Sequence, residues 1–433
     1  MKWWMLLLAL VLAVGGCSGG GDSGSSRGGE DDDANIPPAD DDADDDADDD
    51  ADDDTSDDDT TDDDTTDDDT TPDDDTTPDD DTGDDDTTDD DTGDDDTSPI
   101  PPAMIVDEDV DGYTDLAFDT LGSPHIVYKG SGNGLRYVYW DGDEWVVEQV
   151  ESDNKVGLYN ALILDTSGQP QVAYHDSRAM TLKFAARTEK GWDIAVVDAT
   201  AQVGPWCAIA RNASDEIYIS YQDVTNGDLK VARYTTAWEM ETVEDGTEDG
   251  LFTALAFDTD GTAYISYYDA TARSLKVAHG TFGSWTIDTV DAPLTDEDDV
   301  GRWTSIGIDA AHRVHVAYQD AGNLDLKYAR LTSSVWTTDT IAAVGNQGAD
   351  NCLMLDVYND PHIVYQDGSN LSLKYAAMDI YGDWDFSTLL DGHDYEGGFG
   401  FWLGCALRVS GPVVSHYYPL DSELLIYPAM SVE

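Results

Sequence analysis

One spacing recurs seven times between residues 101 and 433, and it constrains the fold more than any other feature of the chain. A Tyr ends a short apolar segment in each repeat: Tyr128, Tyr174, Tyr221, Tyr267, Tyr318, Tyr365 and Tyr417. The residue 15 positions earlier is aromatic in six repeats and Asp in the other: Tyr113, Tyr159, Trp206, Phe252, Trp303, Asp350 and Trp402. Successive repeats start 46 to 52 residues apart. A fixed core with a variable remainder indicates a repeated structural unit.

Each unit contains four strand signals, which in the fourth repeat read ALAFD, AYISYYD, LKVAHG and SWTIDTV. Asp-x-x-Gly turns such as Asp258 to Gly261 favour a tight hairpin after the first strand. No convincing amphipathic helix interrupts the series. Four-stranded units of this length, repeated seven times, predict an all-β, seven-bladed β-propeller over residues 101–433.

The seventh repeat lacks a fourth strand, because the chain ends at Glu433 soon after its third. Residues 103–107, AMIVD, precede the first repeat and match the fourth-strand endings of other repeats. We therefore expect residues 103–107 to form the outer strand of the seventh blade. This pairing would close the ring and leave no open sheet edge.

The N-terminus reads MKWWMLLLALVLAVGGC, a short charged start followed by an apolar run too short to span a bilayer comfortably. Its last residues, Val14 to Cys17, resemble a bacterial lipobox. The resemblance implies a signal peptide over residues 1–16, acylation of Cys17 and, with Ser18 next, anchoring in the outer membrane. We expect the domain to be exposed at the cell surface, and a periplasmic orientation is the alternative. Several acyl chains would hold the protein firmly on the membrane. The alternative is an ordinary signal peptide with an incidental Cys17.

Residues 17–100 are dominated by aspartate, with 39 Asp and no Lys or Arg between Asp31 and Asp96. The segment has no apolar surface to bury and repels itself, so it predicts a disordered, extended tether. A spacer that holds the domain away from the membrane is the favoured interpretation. The alternative is a diffuse sink for divalent cations, although loose carboxylates offer no preorganised site.

The repeat domain is also acidic, with 53 Asp and Glu against 18 Lys and Arg, a formal charge of −35. This charge argues against nucleic acid and anionic lipid headgroups as partners. We expect a monomer. Cys207, Cys352 and Cys405 fall in the first strands of different repeats, where buried thiols are favoured over a disulfide.

Two residue series are candidates for a ligand-binding face, because the loops that carry them share one side of a propeller. The first opens the innermost strands and includes Tyr159, Trp206, Trp303, Asp350 and Trp402. The second follows the second strands and consists of Asp176, Asp223, Asp320 and Asp367. Aromatic faces and carboxylates together suit sugars. The alternative, which is favoured, is that the aromatics pack between blades and the aspartates form turns.

One local motif, DEDVDGYTD over residues 107–115, has DxDxDGxxD spacing and resembles the calcium loops of integrin-type FG-GAP propeller blades. The resemblance implies Ca²⁺ as a cofactor, held by side chains of Asp107, Asp109, Asp111 and Asp115 and by the carbonyl of Tyr113. Hard oxygen ligands around a Gly turn suit this ion. The alternative is an acidic loop without an ion.

The blades broadly resemble bacterial lectin-like and sialidase-like propeller repeats, although the sialidase Asp-box is missing. The resemblance concerns architecture and does not fix function. The first hypothesis is a surface module that binds a glycan or a protein. The alternatives are a cryptic glycoside hydrolase or lyase and a structural scaffold of the envelope. No catalytic motif identifies a reaction, and no catalytic residue is assigned.

Overall fold

The computed structural model describes residues 103–295, 298–392 and 401–428. The predicted signal peptide (1–16) and tether (17–100) lie outside the described residues. The described part forms seven separate four-stranded antiparallel sheets, one for each sequence repeat. Among these residues, no helix has the length and apolar character needed to cross a membrane.

The strands of each blade follow the chain from the axis outward. The innermost strands are β2 (Asp115–Phe118), β6 (Val156–Leu164), β10 (Ala208–Arg211), β14 (Leu251–Phe257), β18 (Val300–Ile308), β22 (Gln347–Leu355) and β26 (Phe401–Arg408). The second strands are β3 (Pro124–Gly130), β7 (Pro170–Asp176), β11 (Ile217–Asp223), β15 (Ala263–Asp269), β19 (Val314–Asp320), β23 (Pro361–Asp367) and β27 (Gly411–Tyr418).

The remaining strands complete the blades. The third strands are β4 (Gly134–Trp140), β8 (Thr181–Thr188), β12 (Asp228–Tyr234), β16 (Ser274–Thr281), β20 (Asp325–Thr332), β24 (Ser372–Met378) and β28 (Glu423–Tyr427). The outer strands are β5 (Trp145–Glu151), β9 (Gly191–Asp198), β13 (Trp238–Glu244), β17 (Ser284–Asp291), β21 (Val335–Ala342), β25 (Trp384–Leu390) and, for the seventh blade, β1 (Met104–Asp107).

The predicted closure is confirmed. Strand β1 pairs antiparallel with β28, and Met104 and Ile105 lie opposite Ile426 and Leu425. The first and last segments of the domain thus share one sheet, and the outer edge of β28 is paired. The seven-bladed, all-β prediction is confirmed with it.

The apolar core lies between neighbouring blades. One cluster, for example, joins Val197 and Leu182 of the second blade to Ile209 and Ile219 of the third. Every residue of the second strands β3, β11 and β19 is buried, whereas the outer strands alternate with exposed positions. Each blade therefore buries both faces of its central strands and depends on its neighbours for stability.

The blades approach most closely beside glycines. A Cβ added to Gly301 would lie 2.7 Å from the backbone of Leu275 in the preceding blade, and one on Gly348 would lie 2.8 Å from that of Leu326. Both glycines have positive φ, +112° and +84°. The repeated Leu and this Gly thus fix the spacing between blades.

The cysteine prediction is corrected in one respect. Cys352 in β22 and Cys405 in β26 form a disulfide, with their Cα atoms 6.2 Å apart. The innermost strands of adjacent blades run side by side, which brings these thiols within bonding distance. Cys207 is free and buried, as expected for a structural thiol.

Candidate functional site

We call the residue 15 positions before the recurring Tyr the register residue of its blade: Tyr113, Tyr159, Trp206, Phe252, Trp303, Asp350 and Trp402. All seven have left-handed backbone conformations, with φ between 47° and 64°. They sit where the innermost strands lose regular pairing, as in the shift between Leu158 and Ala161. This conformation costs of the order of 1–3 kcal/mol for a residue other than Gly, so the surrounding structure must stabilise it.

A ring of hydrogen bonds between blades provides that stabilisation. At six junctions, the residue directly after the register residue donates a hydrogen bond from its side chain. The acceptor is the main-chain carbonyl of the register residue in the preceding blade, at 2.5 to 2.8 Å. The donor–acceptor pairs are Thr114–Trp402, Asn160–Tyr113, Cys207–Tyr159, Thr253–Trp206, Thr304–Phe252 and Asn351–Trp303. The seventh junction differs, because Leu403 has no side-chain donor. Its backbone N–H instead donates to Asp350 Oδ2 over 3.1 Å.

The six aromatic side chains of the register also contact one another around the axis. Centroid separations between neighbours in the ring range from 3.8 Å for Tyr113 and Trp402 to 6.0 Å for Trp303 and Trp402. Such rings stabilise a fold by packing. The interpretation that these aromatics pack between blades therefore agrees with the structure, and it does not exclude contact with a ligand.

A cavity of about 190 Å³ lies at this axis. It is lined by the seven register residues and by the residue after each, so Tyr159, Trp206, Trp303, Asp350 and Trp402 come together as candidates for ligand binding. The three Trp side chains are partly exposed. Burial raises the pKa of Asp350 to about 7, although backbone N–H groups of the seventh blade act in the opposite direction.

The other four candidates lie elsewhere. Asp176, Asp223, Asp320 and Asp367 are buried, and Oδ1 of each accepts hydrogen bonds from backbone N–H groups two and three residues ahead. This geometry is that of a side-chain-capped turn. None of the four lines the axial cavity. The structure therefore supports the turn-forming interpretation of this series.

A second junction contact could not be predicted from the individual repeats. At five junctions a carboxylate of the outer strand accepts from the buried Tyr and pairs with the cation of the next blade. Asp198, for example, lies 2.7 Å from the Tyr221 hydroxyl and 2.6 Å from Lys230 Nζ. The carboxylates are Asp107, Glu151, Asp198, Glu244 and Asp291.

The cations also pair with aspartates of their own blade. They do so at Lys183–Asp176, Lys230–Asp223, Lys276–Asp269 and Lys374–Asp367. The carboxylate of the preceding blade is an additional partner. The sequence signal was an acidic residue at the end of five of the seven outer strands.

The predicted calcium residues are dispersed among other contacts. Asp107 pairs with Arg136 and accepts from Tyr128, and Asp111 pairs with Lys129. Asp109 is exposed. Tyr113 belongs to the aromatic ring described above.

Asp115, the last proposed ligand, is engaged in a junction. Its carboxylate accepts from the backbone N–H of Leu116 and, over 2.7 Å, from that of Leu162 in the next blade, and burial raises its pKa to about 6. Within the described ranges, no group of three or more His, Cys, Asp or Glu side chains is arranged to hold a metal. Calcium binding stays a prediction.

The sequence and structure define a β-propeller. No family model and no curated protein sequence matches the chain. Among solved structures, an ulvan lyase described as a new family of polysaccharide lyase has a TM-score of 0.54 and 11% identity, covering 75% of this chain and 95% of its own.

Two other solved structures are also similar. The fucose lectin of Aleuria aurantia, described as six-bladed, has a TM-score of 0.45 and 12% identity, covering 67% of this chain and 100% of its own. AofleA of Arthrobotrys oligospora has a TM-score of 0.47 and 14% identity, covering 66% of this chain and 88% of its own. At these identities the likeness concerns the fold alone.

Proposed function

We propose that this chain is a lipid-anchored surface protein whose propeller binds a glycan or protein ligand at its axial cavity. The observation that carries the proposal is that Trp206, Trp303 and Trp402, all partly exposed, line one cavity together with Asp350. Tryptophan faces stack on apolar patches of a ligand, and a few polar groups orient it. At about 190 Å³, the cavity would hold one small group and leave the rest of the ligand outside.

Binding is favoured over hydrolysis by the carboxylates present. Among the described lining residues, Asp350 is the one carboxylic acid. Glycosidases ordinarily use a pair of carboxyl groups flanking the scissile bond. The hydrolase or lyase alternative is therefore supported by one carboxylic acid with a raised pKa, Asp350. The second carboxylic acid that it would need is not found among the described residues that line this cavity. Release of new reducing ends or unsaturated sugars during incubation with polysaccharides would support that alternative.

The binding proposal is tested with the full mature chain on a glycan array, comparing the wild type with Trp303→Phe. The fourth blade carries Phe252 at the same register, so this substitution is compatible with the fold. The matched control is Trp285→Phe in the outer strand β17, which does not line the cavity. We expect ligands that lose binding with Trp303→Phe and retain it with Trp285→Phe. Equal binding by all three proteins would contradict an axial site.

The anchor is tested separately. Replacing Cys17 by Ser should release the protein from the membrane fraction and remove the mass of its acyl chains. External protease would digest a surface-exposed tether in intact cells, whereas a periplasmic one would be protected. If the Cys17→Ser protein remained in the membrane, the lipoprotein interpretation would be wrong. Envelope defects on gene deletion that Trp303→Phe fully rescues would favour the scaffold alternative.

A further inference from the structure

Apart from the indole N–H groups of its three tryptophans and the hydroxyls of its two tyrosines, the cavity has few free hydrogen-bond donors. Thr114, Thr253 and Thr304 line it, and each hydroxyl already donates to a carbonyl of the neighbouring blade. The side-chain NH2 groups of Asn160 and Asn351 also donate to main-chain carbonyls, including one in the preceding blade. The donors that hold the ring together are therefore not available to a ligand.

The same cavity is rich in acceptors. Oδ1 of Asn160 and Oδ1 of Asn351 are buried and have no hydrogen-bond partner among the described residues. Asn160 itself is only 9% exposed. A buried polar atom left without a partner costs about 1–3 kcal/mol, so an N–H donor that reached these oxygens from the cavity would be stabilised there.

Charge points in the same direction. Asp350 lines the cavity, and no Lys, Arg or His is found among the described lining residues. The surrounding rings of Trp206, Trp303 and Trp402 present π-electron density, which attracts cations. A neutral sugar hydroxyl needs both donors and acceptors, whereas a protonated amine supplies only donors and a positive charge.

We propose that the axial cavity binds the protonated primary amine of a small ligand, held by Asp350, the two asparagine oxygens and the tryptophan faces. The inference rests on the proposed function, because it assigns the ligand class of the same cavity. An amino sugar and an ethanolamine headgroup share this chemistry. The ammonium group is the part that the cavity would enclose.

Binding of the amine depends on the charge of Asp350. Burial raises its pKa to about 7, and the bound cation would favour the ionised form. The other titratable groups that line the cavity are Tyr113, Tyr159 and Cys207, and burial raises the pKa of each, so they stay neutral. Affinity should therefore rise between pH 6 and pH 8.

The experiment titrates the full mature chain with glucosamine, ethanolamine, glucose and tetramethylammonium, following tryptophan fluorescence and heat. We expect glucosamine or ethanolamine to bind at least ten-fold more tightly than glucose at pH 8, with a smaller difference at pH 6. The stronger of these two amines identifies the source of the ammonium group. Tetramethylammonium carries the charge without N–H donors, so we expect it to bind more weakly than ethanolamine.

Two variants connect the binding to the cavity. Asp350→Asn should weaken amine binding at least ten-fold. The control Asp115→Asn should not weaken it, although Asp115 is a partly buried acid that also accepts from a backbone N–H of the neighbouring blade. Asn160→Thr keeps a donor that other blades use at this register and removes the free oxygen. It should weaken amine binding while the melting temperature is retained.

Each contrary result has a defined meaning. Glucose binding equal to glucosamine would overturn the amine inference and leave the proposed function intact. Tetramethylammonium binding as tightly as ethanolamine would overturn the role of the oxygen acceptors. If neither amine binds, the inference is wrong, and the array comparison of Trp303→Phe with Trp285→Phe decides the proposed function independently.

Discussion

Asp249 occupies a position that is valine in four other blades. It lies three residues before Phe252, and the corresponding residues Val110, Val156, Val203 and Val300 are at most 2% exposed. Asp249 is 3% exposed, so the fourth blade buries a carboxyl group where its neighbours bury a branched apolar side chain. Replacing Asp249 by Val therefore restores a residue that the fold accepts.

The surroundings of Asp249 make its charge unfavourable. Lys276 Nζ lies 2.8 Å from Glu244, 2.7 Å from Asp269 and 3.7 Å from Asp249, so three carboxylates share one ammonium group. Burial, followed by the charges of Glu244 and Asp269, raises the pKa of Asp249 from 3.8 to about 7. The two closer carboxylates already neutralise the lysine.

The magnitude follows from the two pKa values. The folded state retains a proton that the unfolded chain releases above pH 3.8, so stability decreases as pH rises until the folded pKa near 7 is passed. At about 1.4 kcal/mol per pKa unit, the destabilisation reaches about 4 kcal/mol at pH 8 and about 2 kcal/mol at pH 5. Asp249→Val removes it and should raise the free energy of unfolding by up to these amounts.

The assay is urea unfolding of wild type and Asp249→Val, followed by tryptophan fluorescence at pH 5 and pH 8. The reciprocal control is Val300→Asp, which places a carboxyl group at the same register of the next blade and should destabilise the protein more at pH 8 than at pH 5. A stabilisation that does not depend on pH, or a loss of stability in Asp249→Val at pH 8, would refute the electrostatic argument.

Three further perturbations test the junctions and the acidic loop. Cys352→Ser should lower the free energy of unfolding by about 4 kcal/mol on the loop-entropy argument, given a separation of 53 residues; a reductant should lower the melting temperature of the wild type and not of the variant. Thr253→Val, which loses the bond to the Trp206 carbonyl, should cost about 1–3 kcal/mol, and Thr253→Ser should restore most of it in the same denaturation assay. The calcium hypothesis predicts that Ca²⁺ raises the melting temperature and that Asp111→Asn abolishes the increase; no calcium dependence in the wild type would reject it.

The blade count and the closure could be predicted because both depend on spacing. The interval from Tyr159 to Tyr174 recurs in every repeat, and the missing fourth strand after the third strand of the last repeat has a counterpart at residues 103–107. Hydrophobic alternation and turn residues are local properties, which a sequence displays directly.

The ring of hydrogen bonds between blades could not be predicted from the sequence, because the donor position carries different residue types in different repeats. The donor position reads Thr114, Asn160, Cys207, Thr253, Thr304, Asn351 and Leu403 along the chain. Six of these side chains can donate a hydrogen bond, but the acceptor is a main-chain carbonyl of another blade, which leaves no trace in the sequence. The positive φ at the neighbouring aromatic was equally invisible, since no glycine marks it.

The junction between the sixth and seventh blades explains why one register residue is not aromatic. Leu390 occupies the register of the outer-strand carboxylate, and Leu403 occupies that of the ring donor, so neither side chain can make the contact found at other junctions. The Cys352–Cys405 disulfide and the Asp350 carboxylate supply two different links at this same junction. Asp350 accepts the Leu403 N–H at this junction, and it is the one carboxylic acid among the described residues that line the cavity. The residue that links the sixth and seventh blades at the axis is therefore also the residue whose charge we propose to favour a cation in the cavity.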